Sequence, residues 1–405
     1  MLNSSSGAPP DRVAVVGAGL AGLRTIEQLR ESGFTGSITL VGAEPHLPYD
    51  RPPLSKQVLT GAWDHTRVVL ATSARLEDLA VDVRLGVPAA GLDEGAVHLA
   101  DGTTVAADAT VIATGAVARR LPAQPDGVLS LRTLDDAIRL RTALLGADSA
   151  VIVGAGFIGG EVASSALALG VPAAIVEAAP LPLGRVLGIA GGELARRLMT
   201  DAGVVLHLGR GVENLTCDAA GTVVTLAGGH TVRADVAVVG VGAAADTDWL
   251  AGSGLTISNG VACGPTGRAL GRPGVWALGD VAAWDHPQHG RRRHEHWTSA
   301  GDQAGVVARD LLGMPVGTLA LPYVWSDQFG VRIQVLGRPD DAEDVITLHG
   351  SGPVGGPVAA TVLGYLAGDR LCAVAGFGAP RLVTRCRRLL VSGAGRGEVL
   401  AAVAG

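Results

Sequence analysis

Residues 13–22 read Val-Ala-Val-Val-Gly-Ala-Gly-Leu-Ala-Gly, and residues 151–159 read Val-Ile-Val-Gly-Ala-Gly-Phe-Ile-Gly. Each stretch joins a β-branched, apolar run to a G-x-G-x-x-G motif that a helical pattern follows. In this motif the first glycine forms the tight turn, the second lets a pyrophosphate approach the backbone, and the third lets the helix pack on the strand. One copy is weak evidence in a glycine-rich chain. Two copies with the same flanks predict two dinucleotide-binding units.

Each motif is followed by a second apolar run and then an acid, at about the spacing of a βαβ unit: Glu44 follows the first motif and Glu177 the second. A carboxylate at this place binds the ribose hydroxyls of a dinucleotide. The diphosphate is expected at the helix N-terminus, where free N–H groups and the helix dipole favour negative charge.

Further apolar runs complete the predicted architecture. Residues 109–115, 236–242 and 274–280 each stop at glycine or Gly-Asp, and residues 331–336 and 361–366 read as strands of a last domain. We therefore predict an α/β fold with two Rossmann-like dinucleotide-binding domains and a C-terminal α+β domain. The first domain is expected to contain residues 1–118 and 246–318, the second residues 119–245, and the C-terminal domain residues 319–405.

Composition excludes several classes of protein. The 405 residues include 32 basic and 38 acidic side chains, and no long basic tract, which argues against nucleic-acid binding. The longest apolar stretch, residues 164–184, is interrupted by glycine, proline and glutamate, and Met1–Arg12 lacks a secretion signal. We expect a cytoplasmic protein without a membrane segment, either a monomer or a weak dimer. Of the basic residues 31 are arginine, and Lys56 is the only lysine.

Several motifs together resemble one known family. They are Pro48-Tyr-Asp-Arg-Pro-Pro-Leu-Ser-Lys56, Ala113-Thr-Gly115, Leu131-Arg-Thr-Leu-Asp135, Gly279-Asp280, Arg293-His-Glu-His-Trp297 and Trp325-Ser-Asp-Gln328. The chain resembles, from about residue 12 to about residue 390, the FAD-dependent, NADH-oxidising ferredoxin reductases of bacterial cytochrome P450 and aromatic-ring dioxygenase systems. The resemblance implies a glutathione-reductase-like arrangement, with FAD in the first unit and NAD(H) in the second.

The resemblance also implies which residues bind these cofactors. For FAD they are Gly17, Gly19, Ala21 and Gly22 at the pyrophosphate, Arg51 and Lys56 near the flavin, and Asp280 at the ribityl chain. The walls of the isoalloxazine are expected to be Trp297 and Trp325. The further FAD-binding residues are Glu44, Ala90, Thr114, Gly115 and Arg132. For the nicotinamide dinucleotide they are Gly154, Gly156, Gly159, Glu177 and Gly242. Glu177 favours NADH because a carboxylate repels a 2′-phosphate. Arg185, eight residues further on, is the residue that could accept such a phosphate instead.

Lys56 and Glu161 are the candidate catalytic residues. By the resemblance, Glu161 lies near the nicotinamide and Lys56 in a loop that covers the flavin. A Lys–Glu pair beside flavin N5 would hold the ammonium in place and stabilise negative charge as the flavin is reduced.

The route by which electrons leave is predicted from the cysteines. Related disulfide reductases place a close cysteine pair against the flavin, but Cys217, Cys263, Cys372 and Cys386 lie far apart in this sequence. Electrons are therefore expected to leave singly to an external iron-sulfur ferredoxin, or to pass to oxygen. Ferredoxins are commonly acidic, so two basic clusters are candidate docking sites. These clusters are Arg291–Arg293, and Arg381 with Arg385, Arg387 and Arg388.

Other readings remain open. A rubredoxin reductase or an NADH oxidase would use the same cofactors, and a redox module like apoptosis-inducing factor would use NADH to switch its assembly. The histidines between His286 and His296 are not predicted to bind a metal, because no carboxylate or cysteine lies at ligand spacing.

Overall fold

The computed structural model describes residues 10–287 and 289–404. These residues form two compact units, each made from three segments of the chain. Unit 1 contains residues 10–50, 66–117 and 243–320, and unit 2 contains residues 51–65, 118–242 and 321–404. The prediction that Met1–Arg12 is not a secretion signal falls mostly on residues 1–9, which lie outside the described residues.

Strands and helices alternate along most of the chain. Residues 10–115 contain β1 (Arg12–Val16), α1 (Leu20–Glu31), β2 (Ser37–Gly42), α2 (Gln57–Thr60), α3 (Ser73–Asp78), β3 (Val81–Leu85), β4 (Ala89–Asp93), β5 (Ala96–Leu99), β6 (Thr104–Ala106) and β7 (Ala109–Ile112). Residues 116–242 contain β8 (Ala116–Ala118), β9 (Leu129–Ser130), α4 (Leu134–Leu145), β10 (Ala150–Val153), α5 (Phe157–Ala168), β11 (Ala173–Glu177), α6 (Gly184–Asp201), β12 (Val205–Leu208), β13 (Val212–Asp218), β14 (Gly221–Leu226), β15 (Thr231–Ala234) and β16 (Val236–Val239). Residues 243–320 contain β17 (Ala243–Ala245), β18 (Ile257–Ser258), β19 (Gly260–Cys263), β20 (Val275–Ala277), β21 (Ala282–His286), β22 (Gly290–Arg293) and α7 (Trp297–Leu311). The remainder contains β23 (Tyr323–Gln328), β24 (Val331–Gly337), β25 (Asp344–His349), β26 (Thr361–Ala367), β27 (Arg370–Phe377), α8 (Pro380–Ser392) and α9 (Arg396–Ala404).

Unit 1 is built around a parallel sheet with the strand order β20-β7-β1-β2-β3. The central strand β1 pairs with β2 and β7, so that Val13 lies beside Ile38 on one side and Ala109 on the other. Both faces of these strands are buried, which is why they read as continuous apolar runs. Helix α1 buries Ile26 and Leu29 in the core of this unit.

Unit 2 repeats this arrangement with the order β12-β11-β10-β16-β9. Its central strand β10 pairs in parallel with β11 and β16. A second sheet in this unit is antiparallel, has the order β23-β24-β27-β26-β25, and carries α8 and α9. The two Rossmann-like sheets and the C-terminal α+β part confirm the predicted fold class, and the five apolar runs predicted as strands all contain strands. The predicted domain boundaries remain a prediction.

Helix α5 occupies the centre of unit 2 and determines where the candidate site forms. It is apolar nearly all round, as expected of a helix that is covered on several sides. It packs against β10, against residues 52–60, and against β23. The small residue Gly160 permits the last of these contacts, because a Cβ there would lie 2.3 Å from Gln328 Oε1.

Over residues 10–287 and 289–404, we find no helix whose length and apolar character would let it cross a bilayer.

Candidate functional site

The first glycine motif has the geometry of a cofactor cradle. Gly17 has φ of +121°, and a Cβ at that position would lie 2.1 Å from Ala113 O. A Cβ at Gly22 would lie 2.0 Å from Gly17 O, so the helix can pack this closely only without a side chain. At Gly19, by contrast, no described atom lies within 4 Å of such a Cβ. The protein itself requires the outer two glycines, and the middle glycine leaves room for a ligand.

The second motif shows the same division of roles. Gly154 has φ of +108°, with Gly240 O only 2.4 Å from a Cβ built there, and a Cβ at Gly159 would lie 2.0 Å from Gly154 O. Gly156 faces open space and has an extended backbone that any residue can adopt. Two independent positions thus carry a glycine that packing within the protein does not explain. Both fit a pyrophosphate that contacts the backbone.

Both helices also begin without a capping side chain. Gly19 is the N-cap of α1 and Gly156 the N-cap of α5; neither residue can cap through its side chain, and no acidic residue occupies the first turn of either helix. The first N–H groups of a helix lack partners within the helix. These two helix ends are therefore suited to the negative charge of a diphosphate.

Glu177 is held against the second glycine loop. Its Oε2 accepts a hydrogen bond from Ala155 N at 2.8 Å, and its Oε1 accepts one from Ala179 N at 2.7 Å. The carboxylate is half-buried at the end of β11. A carboxylate can accept about four hydrogen bonds, so two positions remain for ribose hydroxyls. Arg185 is exposed in the first turn of α6.

Two of the FAD sites predicted in unit 1, the Thr114–Gly115 turn and Asp280, lie beside the first glycine loop and the helix that follows it. A Cβ at Gly279 would lie 3.1 Å from Ala21 Cβ, which places Asp280 beside the start of α1. Thr114 Oγ1 donates to Asp246 O at 2.9 Å and fixes the turn that ends at Gly115.

Three other predicted FAD residues of unit 1 lie on separate elements. Trp297 Nε1 donates to Asp50 Oδ1 at 2.7 Å, and Glu44 accepts a hydrogen bond from Tyr49 at 2.6 Å. Ala90 is exposed on β4, in an antiparallel sheet with β5 and β6. The roles of these residues toward a cofactor remain predictions.

Unit 2 contains the remaining predicted residues. Arg51 Nη1 donates to Arg132 O at 2.6 Å, so the start of the loop that carries Lys56 is tied to the segment before α4. Trp325 stacks on Tyr323, with ring centroids 5.9 Å apart. Gly242 has φ of +100°, is exposed, and accepts a backbone hydrogen bond from Arg119.

Lys56 and Glu161 form a buried ion pair. Lys56 Nζ lies 2.8 Å from Glu161 Oε2, and the side chains are 12% and 4% exposed. Lys56 Nζ also donates to Pro52 O at 3.0 Å. An ammonium has three N–H donors. Among the described residues, Pro52 O accepts one of them and the ion pair with Glu161 holds the ammonium in place, so donor capacity remains for a ligand.

Three serines and a glutamine surround this pair, and the sequence prediction did not assign them. Ser55 Oγ donates to Glu161 Oε2, and Ser326 Oγ donates to Glu161 Oε1 at 2.5 Å. Ser165 Oγ donates to Ser55 O at 2.7 Å, and Gln328 Nε2 donates to Ser326 Oγ at 2.9 Å. Ser55, Ser326 and Gln328 belong to the two motifs that carried the family resemblance. Their position in those motifs is the sequence signal by which these three residues could have been assigned to the site.

The two basic clusters differ in their electrostatics. Arg291 pairs with Asp285 at 3.0 Å, and Arg293 pairs with Glu295 at 2.6 Å while donating to Asp280 O. Arg381, Arg385, Arg387 and Arg388 are exposed on α8, which contains no acidic residue. Within the described part of the chain, none of these four arginines has a carboxylate partner. The cluster on α8 therefore presents uncompensated positive charge, whereas Arg291 and Arg293 are each paired with a carboxylate.

The cysteines are unbonded, and three of them are unreactive. Cys217, Cys263, Cys372 and Cys386 are all free thiols. Burial raises the pKa of Cys263 to about 12, and it also raises the pKa of Cys372 and of Cys386. Thiols with a raised pKa stay protonated at neutral pH and are poor nucleophiles. In the described residues, no three His, Cys, Asp or Glu side chains are grouped so that they could hold a metal ion.

Comparisons with known proteins cover nearly the whole chain. Residues 11–304 match the family described as pyridine nucleotide-disulphide oxidoreductase, and residues 323–402 match the family described as reductase C-terminal. The chain is 38% identical over 383 residues to the ferredoxin reductase component of chlorobenzene dioxygenase from Cupriavidus sp. (strain PS12), which covers 93% of this chain and 92% of the relative. It is 36% identical over 385 residues to the ferredoxin–NAD(+) reductase subunit of the benzene 1,2-dioxygenase system from Pseudomonas putida, covering 94% and 92%.

A solved structure matches both units. The crystal structure of the covalent putidaredoxin reductase–putidaredoxin complex superimposes with a TM-score of 0.90 and 26% identity, covering 97% of this chain and 98% of the other. Both glycine motifs and the C-terminal sheet thus fall within regions that have counterparts in known proteins.

Proposed function

Because the chain belongs to the pyridine nucleotide-disulphide oxidoreductase family, we propose that it is an FAD-dependent NADH:ferredoxin reductase that supplies electrons to a cytochrome P450 or a dioxygenase. Its cofactors are FAD and NAD(H). The relatives named as ferredoxin reductase components of dioxygenase systems support the choice of a ferredoxin as acceptor. Four unbonded cysteines suit a reducing compartment, and we place the reaction in the cytoplasm.

The proposed division of labour follows the two glycine motifs. Residues 1–118 and 246–318 bind FAD, residues 119–245 bind NAD(H), and residues 319–405 form the C-terminal domain. When bound, FAD accepts two electrons with a hydride and releases electrons one at a time. Gly19 and Gly156 leave the space that each pyrophosphate requires, and the two uncapped helix ends favour its charge.

The buried Lys56–Glu161 pair is the observation that carries the proposal. Glu161 holds the ammonium by an ion pair, and Pro52 O accepts one of its N–H donors. In the proposal another N–H would donate to the reacting atom of the flavin, where it would stabilise the negative charge that develops during hydride transfer. Because the protein positions this donor in advance, little reorganisation is needed at the moment of reaction.

We predict a preference for NADH over NADPH. Glu177 is fixed by two backbone N–H groups beside the second glycine loop, so its carboxylate cannot readily turn away from a 2′-phosphate. The kcat/KM of the purified holoenzyme should be at least about tenfold higher with NADH than with NADPH. A higher kcat/KM with NADPH would contradict this assignment and would point to Arg185.

We propose that an acidic ferredoxin docks on the arginines of α8. Changing Arg385 and Arg388 together to Gln should raise the KM for an acidic ferredoxin about tenfold at low ionic strength and weaken the salt dependence of the rate, because exposed charges act mainly on association. Steady-state ferredoxin reduction at several salt concentrations measures both effects. NADH:ferricyanide activity should stay unchanged.

Arg291→Gln is the matched control for docking, because this arginine is already paired with Asp285. Its effect on the ferredoxin KM should be below about twofold. If Arg291→Gln raises that KM as much as the double variant on α8 does, the docking surface is wrongly placed.

The function itself is tested by NADH-driven reduction of cytochrome c. The holoenzyme should reduce cytochrome c rapidly only when an iron-sulfur ferredoxin is added, with little oxygen consumption in its absence. Rapid oxygen consumption without ferredoxin would favour an NADH oxidase. Reduction that requires rubredoxin instead would favour a rubredoxin reductase.

A further inference from the structure

The carboxylate of Glu161 is held by donors from two sides. On one side, in the 52–60 segment, Ser55 donates to Oε2 and Lys56 forms an ion pair with it. On the other side, Ser326 donates to Oε1 at 2.5 Å from strand β23. Glu161 is 3% exposed and Ser326 is fully buried. The carboxylate is therefore held between two separate elements that pack on α5.

The direction of the hydrogen bonds at Ser326 is fixed. Gln328 Nε2 donates to Ser326 Oγ at 2.9 Å, so the hydroxyl oxygen acts there as an acceptor. The single hydroxyl proton of Ser326 is then directed at Glu161. A hydroxyl with this orientation stabilises an ionised carboxylate and gives no comparable support to a protonated one.

The neighbouring charges do not compete for Glu161. Asp327, next to Ser326 on β23, pairs with Arg332 through two contacts at 2.7 and 3.0 Å. From the 52–60 segment, Lys56 is the charged group in contact with Glu161. The orientation of Glu161 thus depends on Lys56 and on the two serine hydroxyls.

We propose that Ser326 is a positioning residue for hydride transfer, acting through Glu161 on Lys56. This inference rests on the proposed function, in which Lys56 donates to the flavin. By this hydrogen bond the C-terminal sheet takes part in the reductive step. Loss of Ser326 would leave Oε1 of a buried carboxylate without its donor, and the carboxylate could then rotate. This rotation would release Lys56 from its position.

The test compares Ser326→Ala with Ser164→Ala. Ser164 lies on α5 and accepts a hydrogen bond from Phe329 N at 2.8 Å, so it links the same helix to the same part of the chain without touching Glu161. Anaerobic stopped-flow mixing with NADH gives both the limiting rate constant of flavin reduction and the apparent Kd for NADH. Ser326→Ala should lower the rate constant about tenfold, with Kd changed less than about twofold. Ser164→Ala should resemble the wild type.

A further readout separates positioning from simple packing. In a Glu161→Gln background, Ser326→Ala should have little further effect on the rate constant, because the two residues act through one interaction. Ser55→Ala provides a second variant with the same expected decrease in the rate constant, in case Ser326→Ala fails to bind FAD.

The outcomes distinguish this inference from the proposed function. If NADH does not reduce the wild-type flavin, the proposed function fails. If the wild type behaves as expected and Ser326→Ala matches Ser164→Ala in rate constant, only the role of Ser326 is wrong. Additive effects of Ser326→Ala and Glu161→Gln would also overturn it.

Discussion

Replacing Lys56 with Met should slow the reduction of bound FAD by NADH about 100-fold, with a normal FAD content. The methionine side chain approximates the length of lysine but offers no N–H donor and no charge. Loss of one preorganised donor at developing negative charge typically costs about 100- to 1,000-fold in rate. Anaerobic stopped-flow spectroscopy of the flavin absorbance measures the rate constant directly. An unchanged rate constant would exclude Lys56 from the reaction.

Lys56→Arg tests whether charge alone is sufficient. The ammonium fits between Glu161 Oε2 and Pro52 O in a site where the side chain is 12% exposed. A planar guanidinium spreads its donors over a wider fork and cannot take this place without displacing a neighbour. We expect the rate constant of Lys56→Arg to stay at least about tenfold below the wild type. This position holds the only lysine in a chain with 31 arginines.

Replacing Gly156 with Asp should raise the Kd for NADH about 100-fold or more while FAD remains bound. No described atom lies within 4 Å of a Cβ at Gly156, and its backbone is extended, so the protein can accept a side chain there. Aspartate is also a favourable N-cap, which maintains the start of α5. Its carboxylate would occupy the space of the pyrophosphate and repel it. The dependence of the flavin-reduction rate constant on NADH concentration, from anaerobic stopped-flow mixing, gives the apparent Kd.

Gly159→Ala is the contrasting variant. A Cβ at Gly159 would lie 2.0 Å from the backbone oxygen of Gly154, so the helix would have to move away from the loop. We expect a thermal midpoint lower by about 5 °C or more. The midpoint of Gly156→Asp should stay within about 2 °C of the wild type. If Gly156→Asp binds NADH normally, the second glycine motif is wrongly assigned as the NADH-binding site.

The glycine motifs show which parts of the fold can be predicted from the sequence. Their spacing reflects local backbone geometry, and both βαβ units and the conformations of Gly17 and Gly154 follow from it. The pairing of Lys56 with Glu161 came from the family resemblance, and the structure places the two side chains in contact. Glu177 was expected as a ribose ligand, and its two backbone hydrogen bonds add the reason for its fixed orientation.

The sequence does not predict contacts between segments that are far apart along the chain. Ser326 is 165 residues from Glu161, and no local pattern links a strand in the C-terminal sheet to that carboxylate. The two arginine clusters are alike in composition. They differ because Asp285 lies opposite Arg291 across the β21–β22 hairpin and Glu295 pairs with Arg293, whereas the arginines of α8 have no carboxylate partner among the described residues. Residues 51–65 pack within unit 2 although the segments on both sides of them belong to unit 1, and the sequence does not predict this.

Anaerobic double mixing tests whether electrons pass from NADH through the flavin to a ferredoxin. The holoenzyme is first mixed with one equivalent of NADH and then with an excess of oxidised, acidic iron-sulfur ferredoxin, while flavin and ferredoxin absorbances are followed together. We expect flavin reduction to be complete before the second mixing, and two equivalents of ferredoxin then to be reduced as the flavin is reoxidised. A flavin that stays reduced until oxygen is admitted, with the ferredoxin still oxidised, would contradict this expectation.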